Sequence, residues 1–465
     1  MSILANRYAS QAMRDIWSSE AKIVAERRLW ITVMRFQAEN GVAIPGSAIS
    51  DYERVINQVD LSSIANREKR TRHDVKARID EFNALAGHEF IHLGMTSRDL
   101  TENIEAFQLR QSLLLAQERT AALLHQLALK ADKYAALPIV ARSHNVPAQL
   151  TTLGKKFATV AEELLFAFEN LTQLIDRLPS RGIKGPVGTS QDSLDLIGAN
   201  HNQLERLVAE SLGFKHTLDS TGQIYPRSID FAAISALVQL AAAPANLATS
   251  IRLMAGHELV SEGFAPGQVG SSAMPHKMNS RSCERINGLS VVLRGYLSML
   301  SEIAGDQWNE GDVSDSVVRR VALSDAFFAF DGIIETTLTV LNEFGIFEAN
   351  IKREIDEQLP FIATTKILLA AVKAGAGRES AHEALKEIAT KSLIAKREGR
   401  PTSLIDEIAA DPRIPLDKGA LAALLANPNE FTGDAPAQVA RVIARIQGVV
   451  AKFPQAAAYQ PAPIL

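Results

Sequence analysis

Phe231 to Ile251 reads FAAISALVQLAAAPANLATSI, a run without one charged side chain. Its length would let a helix span a bilayer. Its composition argues otherwise: Gln239, Asn246, Thr249, Ser250 and a central Pro244 make it too polar for a membrane segment. Ala and Leu at this density, with no charge to keep any face in water, describe a helix buried on all sides within a soluble bundle. Long Ala/Leu-periodic stretches recur on both sides, at 100–137, 148–177, 284–304 and from about 314 to 344, and strand signals are scarce. The fold class is therefore all-α, a core of long helices.

Two polar segments flank this helix. Before it stands Ser220-Thr221-Gly222-Gln223-Ile224-Tyr225-Pro226-Arg227, and after it Gly263 to Glu284, GFAPGQVGSSAMPHKMNSRSCE. The second is too rich in Gly and Pro for a helix. It carries Ser271, Ser272 and Lys277 interleaved with Val269, Ala273 and Met274, a mixture that reads as a functional loop partly docked on the scaffold, not as a solvated linker. Gly263, Gly267 and Gly270 are candidate hinges of a lid.

Further out, residues 10–40 form an amphipathic helix capped by Ser10, preceded by Asn6-Arg7-Tyr8-Ala9, whose arginine has the chemistry to hold a phosphate. Helical patterns from 51 to 86 end at Gly87. His88-Glu89-Phe90-Ile91-His92 matches the HExxH zinc pattern. Its tight bracketing by Gly87 and Gly94 opposes the extended helix that zinc ligation requires. Thr96-Ser97-Arg98-Asp99 reads as the cap of the next helix, with hydroxyls and free N–H groups suited to a carboxylate or phosphate. After Pro138 comes Arg142-Ser143-His144-Asn145-Val146-Pro147, a polar connection before a helix from about Ala148. There His144 is either a surface or capping residue or a general acid with a tunable pKa. The Gly-rich Arg181 to Thr189 lacks the ending of a phosphate loop and reads as a tight connector. Past 349 shorter helices punctuated by Pro401, Pro412, Pro415 and Pro428 suggest a separate unit. The domain expectation is thus 1–100, an N-terminal helical domain; 101–349, the central bundle; and 350–465, a C-terminal helical domain.

A net charge of −4 leaves no footprint for nucleic acid. The single cysteine, Cys283, forbids an internal disulfide, and the N-terminal residues lack the apolar core of a signal peptide, so a cytoplasmic location is expected.

Gly270-Ser271-Ser272-Ala273-Met274-Pro275-His276-Lys277-Met278-Asn279 resembles the GSSxMPxKxN signature of the fumarase/aspartase superfamily. Within it the likeness is nearest to the adenylosuccinate lyase family. Arg7-Tyr8, Arg72-His73-Asp74-Val75, Leu93-Gly94-Met95-Thr96-Ser97 and Pro147-Ala148-Gln149-Leu150-Thr151-Thr152 follow that family's pattern in order. The resemblance implies three helical domains, with the central bundles of four chains joining into a 20-helix core in a homotetramer whose active sites are shared between subunits. It implies a small-molecule nucleotide substrate, no metal and no cofactor, and elimination of fumarate. By resemblance Ser271 is the base, His144 the acid, Lys277 and Asn279 the stabilisers of the anionic intermediate, and His73 a group that holds substrate and orients the acid. Arg7, Tyr8, Ser316 and Arg320 match phosphate-gripping positions, and Thr96 and Ser97 those that hold a succinyl carboxylate. Arg72, Asp74, Gln223, Met274 and Arg285 match further substrate contacts. The chain departs from the pattern at two places: Gly311 stands where many relatives have an arginine after the glutamate of Trp308-Asn309-Glu310, and Ser280 replaces a proline.

Overall fold

The computed structural model describes residues 2–263, 274 and 276–462. Five helices build its bundle: α1 (Ser97–Lys133), α2 (Leu153–Arg177), α3 (Ser228–Gly256), α4 (Arg281–Ile303) and α5 (Ser314–Glu343). Among the described residues, strand is confined to three two-stranded pieces. Helix α3, which contains the uncharged stretch 231–251, packs on all four of the others. Its Ala233, Leu237, Leu240, Ala243, Leu247 and Ile251 are buried against one continuous core with Leu113 and Leu124 of α1, Leu164 of α2, Leu293 of α4 and Phe327 and Ile334 of α5. The alternation of Ala with Leu lets neighbouring helix axes approach closely.

One face of α3 departs from the expectation of burial on all sides. Phe231, Gln239, Asn246 and Leu253 form an open stripe, with Leu253 half exposed. A single chain thus leaves uncovered part of a helix that carries no charge between Phe231 and Ile251 with which to face water.

The direction of the helices matters for everything that follows. Arg227, just before α3, bonds Glu102 in the first turns of α1 (2.8 and 2.9 Å) and Asp315 at the start of α5 (2.5 Å), while Arg319 of α5 bonds Asp230 of α3 (2.7 Å). Helices α1, α3 and α5 therefore begin together. Helices α3 and α5 also finish together, because Val260-Ser261, after α3, pairs with Gly345-Ile346, after α5. Helix α4 starts at this far end and runs back. At 1.5 Å per residue, the 29 residues of α3 separate the two ends by about 43 Å.

Local differences from the sequence expectation have physical causes. The helix expected over 10–40 divides into Gln11–Ile16 and Ser19–Glu39, because Ser10 and Ser18 each supply an N-cap. The helix expected from Ala148 starts at Leu153 instead. Before it, Pro138–Ser143 (β1) and Val146–Thr152 (β2) make an antiparallel hairpin. Its two-residue turn, His144-Asn145, has both φ angles positive (52° and 61°), which matches the right-handed twist of the strands. Residues 88–95 are turn and irregular backbone, not helix. His88 Nε2 meets Asp51 Oδ2 at 3.0 Å and His92 Nδ1 accepts from Trp30 Nε1–H at 3.0 Å, so the two histidines serve separate structural partners. Burial pulls His92 down to about 4, which keeps it a neutral acceptor.

The segment after 349 packs back on the bundle through Ala435–Val450, which lies against α1 and α2. The chain then returns to α5. Tyr459 Oη donates to Glu335 Oε1 (2.5 Å), the Ala462 N–H donates to Oε2 (2.7 Å), and the Arg119 guanidinium sits 3.5 Å from the Tyr459 ring centre.

Candidate active site

At the near end a cavity of about 590 Å³ is lined by His73, Asp74, Ser97, Ser316 and Arg320 among others. Each arrives there for a local reason. Thr96 caps α1, and its N–H donates to Asp99 Oδ2 at 2.8 Å, completing a capping box. Asp99 is fully buried and also accepts from Arg181 Nη1 and from the N–H groups of Lys184 (2.8 Å) and Gly185 (3.0 Å). The Gly-rich turn thus wraps a carboxylate of the protein itself, and it fixes the helix start that carries Thr96 and Ser97. His73 caps the helix Asp74–Ala86, accepting from the Lys76 N–H on Nδ1 at 3.3 Å. An Nδ1 committed as acceptor leaves the proton on Nε2, which faces Ser97 Oγ at 3.4 Å. Burial pushes the Asp74 carboxyl up, but Arg78, the Val75 N–H and His73 together outweigh it and hold the group below its usual range. Ser316 and Arg320 stand one turn apart on α5.

Gln223 and Gly311 lie side by side near this end. The Gln223 N–H donates to the Glu310 carbonyl at 2.5 Å, and a Cβ on Gly311 would fall 3.1 Å from Gln223 Cβ. Gly311 has φ +139°, a backbone region that favours glycine. An arginine here would therefore meet a tight contact at its Cβ and an uncomfortable backbone. Arg72, left-handed at the end of the helix Leu61–Thr71, is exposed beside His73 but does not line the cavity.

The remaining predicted residues stand elsewhere. Tyr8 packs on Gly332, where a Cβ would come within 2.8 Å of the tyrosine Cβ, and the Arg285 guanidinium lies 5.7 Å from the Tyr8 ring centre. Gly332 is roughly 18 Å further along α5 than Arg320. Arg7 is exposed next to Tyr8.

Lys277 and Asn279 are at the far end, lining a second cavity with Ser261, Glu262, Phe347 and Asn350. Met274 is exposed, and its carbonyl accepts from the Lys277 N–H at 3.0 Å. Ser271, with the expected hinges Gly267 and Gly270, lies outside the described residues. His144 projects from the hairpin tip, exposed. An Arg142–Glu354 ion pair ties that hairpin to the helix Glu348–Ile362, whose Asn350 lines the Lys277 cavity. The groups matched to acid and anion stabiliser thus share one end of the bundle, while the groups matched to substrate binding at His73, Ser97, Ser316 and Arg320 share the other.

Sequence reasoning passed over Glu262. This buried carboxylate accepts from the N–H groups of Ser282 and Cys283 (both 2.9 Å), capping α4 and joining the segment before the signature to the segment after it. A glutamate facing a helix start some twenty residues later leaves no periodic signal. Burial, and then this carboxylate, push the Cys283 thiol far above its ordinary range, so it is no nucleophile.

A family model described as lyase matches residues 8–295, and one described as adenylosuccinate lyase C-terminus matches 360–442. The adenylosuccinate lyase of Saccharomyces cerevisiae is 33% identical over 451 residues, covering 95% of this chain and 93% of its own. That of Schizosaccharomyces pombe is 33% identical, covering 94% and 92%. Among solved structures, 3-carboxy-cis,cis-muconate lactonizing enzyme from Pseudomonas putida superposes with a TM-score of 0.84 at 23% identity, covering 96% of this chain and 99% of its own. A fumarate lyase from Mesorhizobium sp. BNC1 gives 0.80 at 20%, covering 94% and 98%. The two structures share the all-α fold, and the sequence matches over nearly the whole length go further: this chain belongs to the adenylosuccinate lyase family.

Proposed function

We propose that this protein is a carbon–nitrogen lyase that eliminates fumarate from adenylosuccinate, giving AMP, and from the corresponding succinyl imidazole-carboxamide nucleotide. The observation that carries this reading is the match of about one residue in three along almost the entire chain to curated adenylosuccinate lyases.

The chemistry is a trans β-elimination. A proton leaves the carbon beside a succinyl carboxylate, the electron pair forms the alkene, and the C–N bond breaks with the pair passing to nitrogen. Ser271 takes the carbon-bound proton. Its hydroxyl is a weak base unless its oxyanion is stabilised by nearby donors. Lys277 and Asn279 stabilise the doubly charged aci-carboxylate formed as the proton departs, where preorganised charge contributes most. His144 gives a proton to the departing nitrogen. His73, its Nε2–H aimed toward Ser97, holds substrate together with Thr96 and Ser97. Arg7, Tyr8, Ser316 and Arg320 bind the phosphate, with Arg72, Asp74, Gln223, Met274 and Arg285 as further contacts. No step calls on a metal or a cofactor.

These groups act together only if different copies of the chain supply them. Two sets lie at opposite ends of helices about 43 Å long, and Tyr8 with Arg285 lies between. A homotetramer with shared active sites brings such positions together and covers the open stripe of α3. In the proposed three-domain division, the C-terminal family match over 360–442 falls within the last unit, 350–465.

The test is fumarate release on incubation with adenylosuccinate, run beside argininosuccinate. Turnover of adenylosuccinate alone, with His144→Gln and Ser271→Ala each reducing kcat by about 100-fold or more, is expected. Absence of wild-type turnover, or wild-type rates in both variants, overturns the assignment.

A further inference from the structure

One cation in the near-end cavity has no part in the chemistry above. Arg98 follows Ser97 in the first turn of α1, lines the cavity, and donates from Nη2 to Ser316 Oγ at a long 3.4 Å. Its side chain is 15% exposed, far less than a free surface arginine.

The ion pairs around it show where charge is left over. Lys22 pairs with Glu105 (3.1 Å), and Arg319 with Asp230 (2.7 Å) and also with Glu105. Arg227 takes both oxygens of Glu102 in a fork and Asp315 as well. Arg98 Nη1 reaches Glu102 at 3.1 Å, but on a carboxylate already met by Arg227 and by the Tyr225 N–H (3.1 Å). The partly exposed Asp312 is held by the N–H and hydroxyl of Ser314 (2.7 and 2.6 Å). Arg320 makes no hydrogen bond or ion pair among the described residues. Arg98 and Arg320 are thus surplus cations on either side of Ser316, in a cavity large enough for a nucleotide headgroup. Gly311 adds no third from its loop, and its positive φ and tight contact with Gln223 would strain any side chain placed there.

We infer that Arg98 is a substrate-binding residue for the phosphate of the nucleotide, closing a clamp with Ser316 and Arg320 and supplying from helix α1 the positive charge that Gly311 does not carry. A planar guanidinium with one edge fixed on Glu102 presents its other edge ready-oriented to a dianion. This inference rests on the proposed nucleotide substrate.

The test compares wild type with Arg98→Gln and Arg98→Lys in steady-state turnover of adenylosuccinate, with AMP and adenosine as competitive inhibitors. Arg98→Gln is expected to raise KM and the AMP inhibition constant together by about 10- to 100-fold, the range of a lost charge-assisted contact. kcat should change by less than about threefold, as for binding equal in ground and transition states. Inhibition by adenosine, which lacks the phosphate, should not change, and Arg98→Lys should recover part of the loss. Unchanged KM and AMP inhibition overturn the inference. So does equal weakening toward AMP and adenosine, which would assign Arg98 to the fold; so does a raised KM with AMP inhibition unchanged, which would assign it to the succinyl carboxylate that AMP lacks; and so does a fall in kcat alone. If Arg98→Gln does not fold, Arg98→Lys decides: it keeps the charge beside Glu102 but loses the fork, so KM rises several-fold while adenosine inhibition holds. An inactive wild type would count against the substrate assignment, and calorimetric AMP binding to wild type and variant then tests Arg98 by itself.

Discussion

Glycine 311 shows how a single position resists reading from sequence. Its neighbours suggest a missing cation, and the instinct is to restore one. The geometry predicts the opposite. With φ +139°, and with Gln223 Cβ only 3.1 Å from where a Cβ would stand, Gly311→Arg strains the backbone and displaces Gln223. A loss of about 1–3 kcal/mol is expected, measured as a lower thermal midpoint, together with a higher KM for adenylosuccinate. A variant as stable as wild type with improved KM would refute this account. Residues with a motif around them, such as His73, Ser97, Ser316 and Arg320, were legible in the sequence, and the fold gathers them in one cavity. Arg98 was not, although it stands directly after Ser97 in the same motif. An arginine one turn before Glu102 reads as a surface ion pair until the competing claim of Arg227 on that carboxylate is seen.

At the level of elements, long helices were readable to within a few residues because an apolar period of 3.6 persists over many turns. The hairpin at 138–152 was not. Its strands are short, and His144-Asn145 is an unusual pair for a turn that needs two positive φ angles. Equally hidden was the brace formed by Glu262 on the first N–H groups of α4. Two hydrogen bonds donated by a helix start to a buried carboxylate combine charge assistance with the helix dipole. Glu262→Ala should therefore cost about 2–3 kcal/mol of stability and lower kcat more than it raises KM, since Lys277 and Asn279 lie in sequence between Glu262 and its partners Ser282 and Cys283 and share its cavity. Chemical denaturation alongside steady-state kinetics checks both parts. An unaltered kcat in a destabilised variant would limit Glu262 to a structural role.

At the scale of the molecule, the return of the chain end to α5 buries a carboxyl whose ion pair with Arg119 is long, at 3.9 Å. Burial first, and Asp331 second, raise Glu335 to about 7, against the opposing pull of Tyr459, the Ala462 N–H and Arg119. The folded protein therefore keeps a proton that the unfolded chain loses near 4.5. Stability contributed by this group is complete below that pH and declines as pH rises toward 7, by an amount on the order of 3 kcal/mol. Glu335→Gln mimics the protonated form, since its amide can donate to Tyr459 Oη while its oxygen accepts from Ala462. Its gain in thermal midpoint over wild type should be larger at pH 8 than at pH 5, and a gain independent of pH would contradict this. The all-α architecture was visible in composition and period and the resemblance implied shared sites, whereas the assignment of each site residue to one end was not visible, because a sequence lists residues without saying at which end of a bundle they emerge. That separation has a consequence for heredity. A copy defective at His144 and a copy defective at Arg320 fail at opposite ends of the bundle, so in the proposed homotetramer an assembly containing both kinds can still gather one intact set. Two alleles that are each null alone should restore growth when expressed together, and purified mixtures refolded in common should regain activity that neither protein shows by itself.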